Sequence, residues 1–420
     1  VSVLYCMARL GHFLRWSREI GITVDSAAVA IKFLRGYGRG LVALRHVEPN
    51  ATLVRIPPHA LIQSSAVFPI SGCEEDNQDS QQRGDVDRRW VHFRDVGFTD
   101  WVAEEVARSC RAGSVAEEKQ HLVQLQPLTA EATEQSFRRD AEYWLLAVSL
   151  LFPSLQRPTI LPLQPSREVS HQQRTGAVDV FDTYRRVILP RRPIPTSHRD
   201  WTHVVHTALQ QMKEMESSTA LRRGVHVVDV EYVVQCILRQ QSVDQHLIAP
   251  QVWTWCTKHL PACYTGKVPG VMSPSEGHEA CWWAFACAKS RAHSFSTSCA
   301  SFSPRRYPLS PSARHREMAA YHALSMCPWF DLINDGPAMN VNFVDVPSSS
   351  SSPRFLPEAL HGRDLLIEAG DGGLKPGEQL RMCYEHSSSK KSSSAEEYMA
   401  STLLQFGFLP NSCALSLLRW

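Results

Sequence analysis

Segments that favour β-strands lie near both ends of this 420-residue chain, and a long block with helical periodicity separates them. Near the start, "GLVALRHVEPNATLVRIP" places runs of Leu, Val and Ile on either side of the turn signal "VEPN". Near the end, "LLIEAG" and "EQLRMCY" have the same character, and "EEYMASTLLQFGF" predicts a final helix. From about residue 88 to 290, apolar residues recur mostly at helical spacing, as in "WVAEEVARSC" and "DAEYWLLAVSLLF". We therefore predict an α+β protein whose two ends pair in one β-rich unit, with the helical block as an insertion.

The composition is that of a soluble globular protein. Hydrophobic residues make up 43% of the chain and charged residues 20%, and the net charge is only +2. A nearly neutral chain gives no reason to expect a nucleic-acid or membrane partner. The longest strongly apolar run, Tyr143 to Phe152, is about half of what a bilayer span needs.

The 12 cysteines are scattered and form no CxxC pair. This spacing predicts neither a zinc site nor a redox motif, so no metal is expected. A chain of this size does not need disulfides for its stability. We interpret the cysteines as reduced thiols, which predicts a cytoplasmic or nuclear protein.

Four segments carry the candidate functional residues, and they occur in a definite order. They are "YGRGLVA" (37–43), "WAFACAKSR" (283–291), "PWFDLIND" (328–335) and "GEQLRMCYE" with "LLQFGF" (within 377–408). The ordered set resembles the SET-domain methyltransferases, in the branch that contains the Rubisco large-subunit lysine methyltransferase and the actin-histidine methyltransferase. The resemblance implies a SET-domain β-fold, S-adenosyl-L-methionine as cofactor, and transfer of a methyl group to a lysine side chain of a protein substrate.

The resemblance also implies a domain organisation. Residues 1–62 would form the N-terminal SET portion and residues 281–411 the C-terminal SET portion. Residues 63–280 would form the helical insertion. Residues 412–420 would be the start of a truncated or missing substrate-binding domain.

The first segment suits the methionine end of the cofactor. Gly38 and Gly40 let the backbone approach a ligand closely. The resemblance implies that Tyr37, Gly38 and Arg39 contact the cofactor largely through the main chain. It also implies that Arg291, at the end of a helix, binds the cofactor carboxylate with its forked guanidinium.

The segment "PWFDLIND" matches the Asp-x-x-Asn-His element of the family. The resemblance implies that the side-chain carbonyl of Asn334 binds the cofactor amino group and that the backbone at Asp335 holds the adenine. Asp335 stands where the family has His. Asp331 is predicted to brace the turn.

The final segments supply the candidate catalytic residue. Tyr384 stands where the family has its active-site tyrosine, whose hydroxyl lies beside the transferring methyl group. Glu385 replaces the usual Gly that follows this tyrosine. The resemblance implies that Phe406 lines the lysine channel and that Phe408 packs on the adenine.

Three alternatives stay open. Asp335, Glu385 and the end of the chain soon after the last motif fit a SET-fold pseudo-enzyme that binds a cofactor or a partner without turnover. The same family branch includes methylation of a protein histidine. Nucleic-acid binding through "RRYPLSPSARHR" is disfavoured, because such a run is usually a solvated loop.

Overall fold

The structure is a computed structural model. It describes residues 2–34, 38–57, 60–63, 67–69, 90–92, 97–116, 129–152, 182–218, 228–260, 273–294, 324–336, 338–347, 363–384 and 394–418. The chain divides into two compact units. The first unit comprises Val1–Leu61, Asp182–Ile237 and Ser290–Trp420, and the second comprises Ile62–Phe181 and Leu238–Lys289.

A four-stranded sheet in the first unit joins the two ends of the chain. Its strands, in spatial order, are β1 (Thr23–Val24), β4 (Thr52–Ile56), β12 (Arg363–Ala369) and β11 (Val341–Pro347). All neighbours are antiparallel. Leu365 lies opposite Ile56, and both are buried. The prediction that the two terminal strand regions share one β-rich unit is confirmed.

A hairpin of β2 (Val29–Leu34) and β3 (Gly38–Ala43) precedes the "VEPN" turn. Strand β2 was not predicted, because only a Gly-rich entry was expected before β3. Strand β3 is also bonded to the last motif of the chain. The N–H of Ala43 donates to the carbonyl of Glu378 at 2.8 Å, and the N–H of Leu380 donates to the carbonyl of Leu41 at 2.9 Å.

Two short strand pairs complete the described sheet structure of the first unit. Strand β10 (Asn334–Asp335) runs parallel to β13 (Arg381–Met382), with Asn334 opposite Arg381. Strand β8 (His293–Ser294) pairs antiparallel with β9 (Leu324–Met326). The parallel pair places two of the four sequence motifs side by side.

The helices follow the predicted periodic segments. Their bounds are α1 (Ser2–Glu19), α2 (Phe98–Ala116), α3 (Ala130–Leu151), α4 (Asp182–Val187), α5 (His198–Ser218), α6 (Val230–Val243), α7 (Ala249–His259), α8 (Pro274–Arg291), α9 (Ala395–Phe406) and α10 (Asn411–Leu418). A π-helix (Asp244–Ile248) separates α6 from α7, and a 3₁₀ turn (Phe330–Leu332) precedes β10. Among the described residues, none of the helices is long and apolar enough to cross a bilayer.

The segment Asp182–Ile237 belongs to the first unit, although it was expected to be part of one insertion spanning 63–280. Packing explains the difference. Helix α4 packs on α1, where the rings of Tyr184 and Trp16 stack with centroids 6.3 Å apart. Helix α5 packs on α10, and Gln211 Nε2 donates to Asn411 Oδ1 at 3.2 Å.

Local sequence signals determine both ends of α9. The hydroxyl of Ser394 accepts from the N–H of Glu397 at 3.2 Å and so caps the first turn. Gly407 ends the helix with φ +76°, and its N–H donates to the carbonyl of Leu403 at 2.7 Å. This left-handed residue turns the chain between Phe406 and Phe408.

The second unit is mainly helical and has an aromatic core. The rings of Trp144 and Phe285 stack with centroids 3.9 Å apart, and Phe98 meets Trp255 edge-on at 4.9 Å. The unit also contains β5 (Ile62–Gln63) and an antiparallel pair, β6 (Val67–Pro69) with β7 (Trp90–His92). The predicted loops at 64–86, 301–316 and 346–354 lie largely outside the described residues.

Candidate functional site

Gly40 on β3 lies directly against the side chain of Asn334 on β10. A Cβ on residue 40 would stand 2.5 Å from Asn334 Nδ2 and 2.6 Å from Leu34 Cδ1. Any residue larger than glycine would therefore displace Asn334 or Leu34. The first and third sequence motifs thus meet at a contact that only glycine allows.

The amide nitrogen of Asn334 is buried and has no hydrogen-bond partner among the residues that the structure describes. Leaving such a donor unsatisfied costs about 1–3 kcal/mol, which a bound acceptor would recover. The resemblance implied a contact through the carbonyl instead. The two ends of an amide exchange by a 180° flip, so Asn334 can offer either group to a ligand.

Asp331 connects the third motif to α4. The hydroxyl of Tyr184 donates a hydrogen bond to Asp331 Oδ2, whereas Oδ1 is buried and has no partner within the described part of the chain. Burial raises the pKa of Asp331 to about 6, and the nearby positive charge of Arg291 opposes this shift. Asp331 therefore links the turn to a partner 147 positions earlier in the chain, and its bracing role stays a prediction.

Tyr184 is a residue that the sequence reasoning did not select. It lies in "FDTYRRVILP", a segment that resembles the family only loosely. Burial raises the pKa of Tyr184 well above its usual value, and the charge of Asp331 adds to the shift. The phenol therefore stays protonated and remains a donor to Asp331 at neutral pH.

Arg291, the last residue of α8, lies near this group of side chains. Its charge lowers the pKa of Asp331, and it opposes the rise that burial causes at Tyr184 and Tyr384. The charge of Arg291, in the second motif, thus acts on titratable residues of the third and fourth motifs.

Asp335 binds three protein donors through its carboxylate. The N–H of Tyr384 donates to Oδ1 at 3.1 Å. The N–H and the Nδ2 of Asn411 both donate to Oδ2 at 2.9 Å. Burial raises the pKa of Asp335, and these hydrogen bonds oppose the rise. The carboxylate at the position of the family's His is therefore fully paired.

Tyr384, Phe406 and Phe408 form an aromatic cluster. The ring of Tyr384 lies 5.6 Å from Phe406 and 5.9 Å from Phe408, between centroids, and the two phenylalanines are 6.2 Å apart. Phe408 is 42% exposed, so part of its surface is open to a ligand. The hydroxyl of Tyr384 donates to the carbonyl of Ile333 at 2.9 Å, next to Asn334.

The side chain of Arg39 binds the end of α4. Its Nη1 donates to the carbonyl of Val187 at 2.6 Å. The main-chain contact of Arg39 with the cofactor, which the resemblance implied, stays a prediction. Tyr37 and Glu385 lie outside the described residues. Within the described ranges, no group of three or more His, Cys, Asp or Glu residues could hold a metal ion.

Several solved structures are similar to this chain, and three of them are described. They are the crystal structure of the SET domain of LSMT bound to lysine and AdoHcy (16% identity, TM-score 0.42), Rubisco LSMT bound to AdoMet (14%, 0.39), and Rubisco LSMT bound to sinefungin and monomethyllysine (15%, 0.37). The matches cover 96%, 95% and 95% of this chain but only 57%, 56% and 56% of the solved chains, so this chain spans little more than half of their length. No family model and no curated protein matches the sequence.

Proposed function

We propose that this chain binds S-adenosylmethionine and transfers its methyl group to a lysine side chain of a protein substrate. One observation carries the proposal. The buried amide nitrogen of Asn334, which has no partner among the described residues, lies against Gly40, where a Cβ would not fit. The adjacent carbonyl, that of Ile333, receives the hydroxyl of Tyr384. The hydroxyl of the candidate catalytic tyrosine is therefore bonded to the main chain of the residue that precedes the candidate ligand-binding asparagine.

The residues present fit the cofactor. Asn334 offers an unsatisfied polar group to its amino acid end, and Gly40 allows the Asn334 side chain to pack directly against β3. Arg291 offers a guanidinium for its carboxylate, and the partly exposed ring of Phe408 offers an apolar face for its adenine. When bound, the cofactor supplies an electrophilic methyl group on a sulfonium.

The remaining chemistry belongs to the protein. An acceptor lysine must lose its proton before it can attack, and a partly apolar channel favours the neutral amine by desolvation. Phe406 would form part of that channel and would orient the amine towards Tyr384. Burial, followed by the charge of Asp331, raises the pKa of Tyr384, so its hydroxyl remains protonated and able to orient an amine.

A second candidate function is cofactor or partner binding without turnover. The hydroxyl of Tyr384 is already bonded to the carbonyl of Ile333, and Asp335 replaces the family's His. These two features favour a binding protein built on the same site. A protein histidine is a further possible acceptor, because a neutral imidazole also carries a lone pair.

The test is transfer of labelled methyl from S-adenosylmethionine to proteins of a cell extract. The variant Tyr384→Phe removes only the hydroxyl and is compared with Tyr232→Phe, which alters a 44% exposed tyrosine of α6. We expect label on lysine with wild type and with Tyr232→Phe. Tyr384→Phe should transfer about 10²–10³-fold more slowly. If all three proteins bind the cofactor but none transfers methyl, the enzyme proposal fails and the binding-protein proposal takes its place. Label on histidine would show that the acceptor is histidine and not lysine.

A further inference from the structure

We propose that Asp335, Asn411 and Ser412 form a clamp that positions Tyr384 through its main chain. The inference rests on the proposed function, because it assigns a positioning role to residues around the candidate catalytic tyrosine. None of the three is proposed to touch the reacting atoms. The clamp is defined by these three residues and by the two polar main-chain groups of Tyr384.

Side chains of the clamp bind both polar groups of the Tyr384 backbone. Its N–H donates to Asp335 Oδ1 at 3.1 Å. Its carbonyl accepts a hydrogen bond from the hydroxyl of Ser412. Tyr384 lies just beyond β13, where no regular strand pairing holds it. The side chains of Asp335 and Ser412 therefore fix the main chain of Tyr384 as the hydrogen bonds of a neighbouring strand would.

The two sides of the clamp are bonded to each other. Asp335 Oδ2 accepts from both the N–H and the Nδ2 of Asn411 at 2.9 Å. Asn411 and Ser412 are the first two residues of α10, so the carboxylate meets the N-terminus of that helix. A negative charge is favourable there, because the first N–H groups of a helix are unpaired and the helix dipole is positive.

The chemistry of the clamp requires a carboxylate. Three donors converge on two oxygens, and only an ionised Asp or Glu offers two acceptor oxygens with no competing donor. Asparagine would turn an N–H₂ group towards one set of donors, and histidine could offer at most one acceptor nitrogen. Asp335 is therefore part of a local arrangement with Asn411 and Ser412.

Contacts outside the clamp hold helix α10 in place, so Asn411 and Ser412 have fixed positions. Asn411 Oδ1 accepts from Gln211 on α5 at 3.2 Å, and Leu417 and Leu418 are buried. Loss of the clamp would release the main chain of Tyr384 while α10 stayed packed. A displacement of about 1 Å at a catalytic group is enough to slow a reaction about 10²-fold.

The first experiment measures amide hydrogen exchange without cofactor or substrate. It compares wild type with Asp335→Asn and with Ser412→Ala, and uses Ser416→Ala as the matched control. Ser416 lies on the same helix and is exposed, and its hydroxyl donates to the carbonyl of Ser412 at 3.0 Å, outside the clamp's own hydrogen bonds. We expect exchange at Tyr384 and Asn411 to rise about tenfold in Asp335→Asn, and to stay unchanged in Ser416→Ala. Unchanged exchange in Asp335→Asn would overturn the clamp.

The second experiment measures kinetics and cofactor affinity in the same variants. We expect kcat to fall about 10- to 100-fold in Asp335→Asn and less in Ser412→Ala, while the Kd for S-adenosylmethionine changes less than about threefold. Equal losses in kcat and cofactor affinity would contradict a positioning role.

The two proposals can fail separately. A wild-type protein that binds no S-adenosylmethionine defeats the proposed function, yet the exchange experiment still decides whether the clamp holds Tyr384. A wild-type protein that transfers methyl while Asp335→Asn keeps full kcat supports the proposed function and defeats the clamp.

Discussion

The Cα of Gly40 lies so close to the side-chain amide of Asn334 that a Cβ on residue 40 would stand 2.5 Å from Nδ2. The two residues are almost 300 positions apart in sequence and belong to strands near opposite ends of the chain. The bonds of β3 to residues 378–380 and the parallel pairing of β10 with β13 bring the two strands into one unit. The candidate ligand site is thus a direct product of the fold.

This contact predicts the effect of Gly40→Ala. The added methyl group would push the Asn334 amide or Leu34 aside, so we expect the affinity for S-adenosylmethionine to fall by about 1–3 kcal/mol. Gly372→Ala is the matched control, because a Cβ there would meet nothing within 4 Å and its φ is not positive. Titration calorimetry measures both variants. Equal affinity in the two would show that Gly40 does not shape the site.

The Tyr184–Asp331 pair predicts a loss of stability in Tyr184→Phe. The change leaves the buried carboxylate of Asp331 without the donor to its Oδ2, while its Oδ1 already lacks a partner. We expect the free energy of unfolding to fall by about 1–3 kcal/mol. Urea unfolding, with the exposed Tyr232→Phe as control, measures the loss. The pKa of Asp331, about 6 in wild type, should rise further because the hydrogen bond from Tyr184 lowers it.

We expect the buried Asp244 to make the free energy of unfolding of the second unit depend on pH. The residue lies in the π-helix and is 3% exposed, and its Oδ1 accepts from Gln240 Nε2 at 3.0 Å. Burial raises its pKa to about 7; the charge of Lys289 opposes the shift and that of Asp140 adds to it. The pKa of Asp244 is higher in the folded than in the unfolded protein. Its contribution to the free energy of unfolding is therefore complete below about pH 4 and is lost as the pH rises through 7.

The variant Asp244→Asn should remove this pH dependence. A rise from 3.8 to about 7 corresponds to a few kcal/mol, on the order of 4, at 1.36 kcal/mol for each pKa unit. We therefore expect the variant to gain stability relative to wild type as the pH rises from 4 to 8. Unfolding midpoints at several pH values, with the exposed Asp371→Asn as control, measure the gain. Parallel pH curves for wild type and Asp244→Asn would refute the prediction.

Much of this architecture could be predicted from local sequence patterns. The strand segments at both ends and the helix that ends at Phe406 follow from periodicity and turn signals. The candidates Asn334 and Tyr384 follow from the resemblance of the ordered motifs to a known family. Those signals are local or carried by short motifs. The structure brings Tyr384, Phe406 and Phe408 together as a cluster because Gly407, with its positive φ, folds the chain back after the helix.

The contacts that could not be predicted join residues far apart in sequence. Asp335 looked like an uncompensated substitution until Asn411, 76 positions later, supplied two donors. Tyr184 had no local pattern that would mark it as the partner of Asp331. Segment Asp182–Ile237 has helical periodicity like the rest of the expected insertion, and only its packing on α1 and α10 assigns it to the first unit.

The most direct test of the account is calorimetric titration of S-adenosylmethionine into wild type, Asn334→Ala and Asn342→Ala. Asn342 lies on β11 and bonds weakly to Asn50 at 3.5 Å, so its variant is a control for loss of an asparagine outside the site. We expect binding of one molecule to each wild-type chain and the same affinity in Asn342→Ala. Asn334→Ala should bind about 5- to 150-fold more weakly, which corresponds to about 1–3 kcal/mol. Absence of binding to wild type, or equal affinity in all three proteins, would contradict the account.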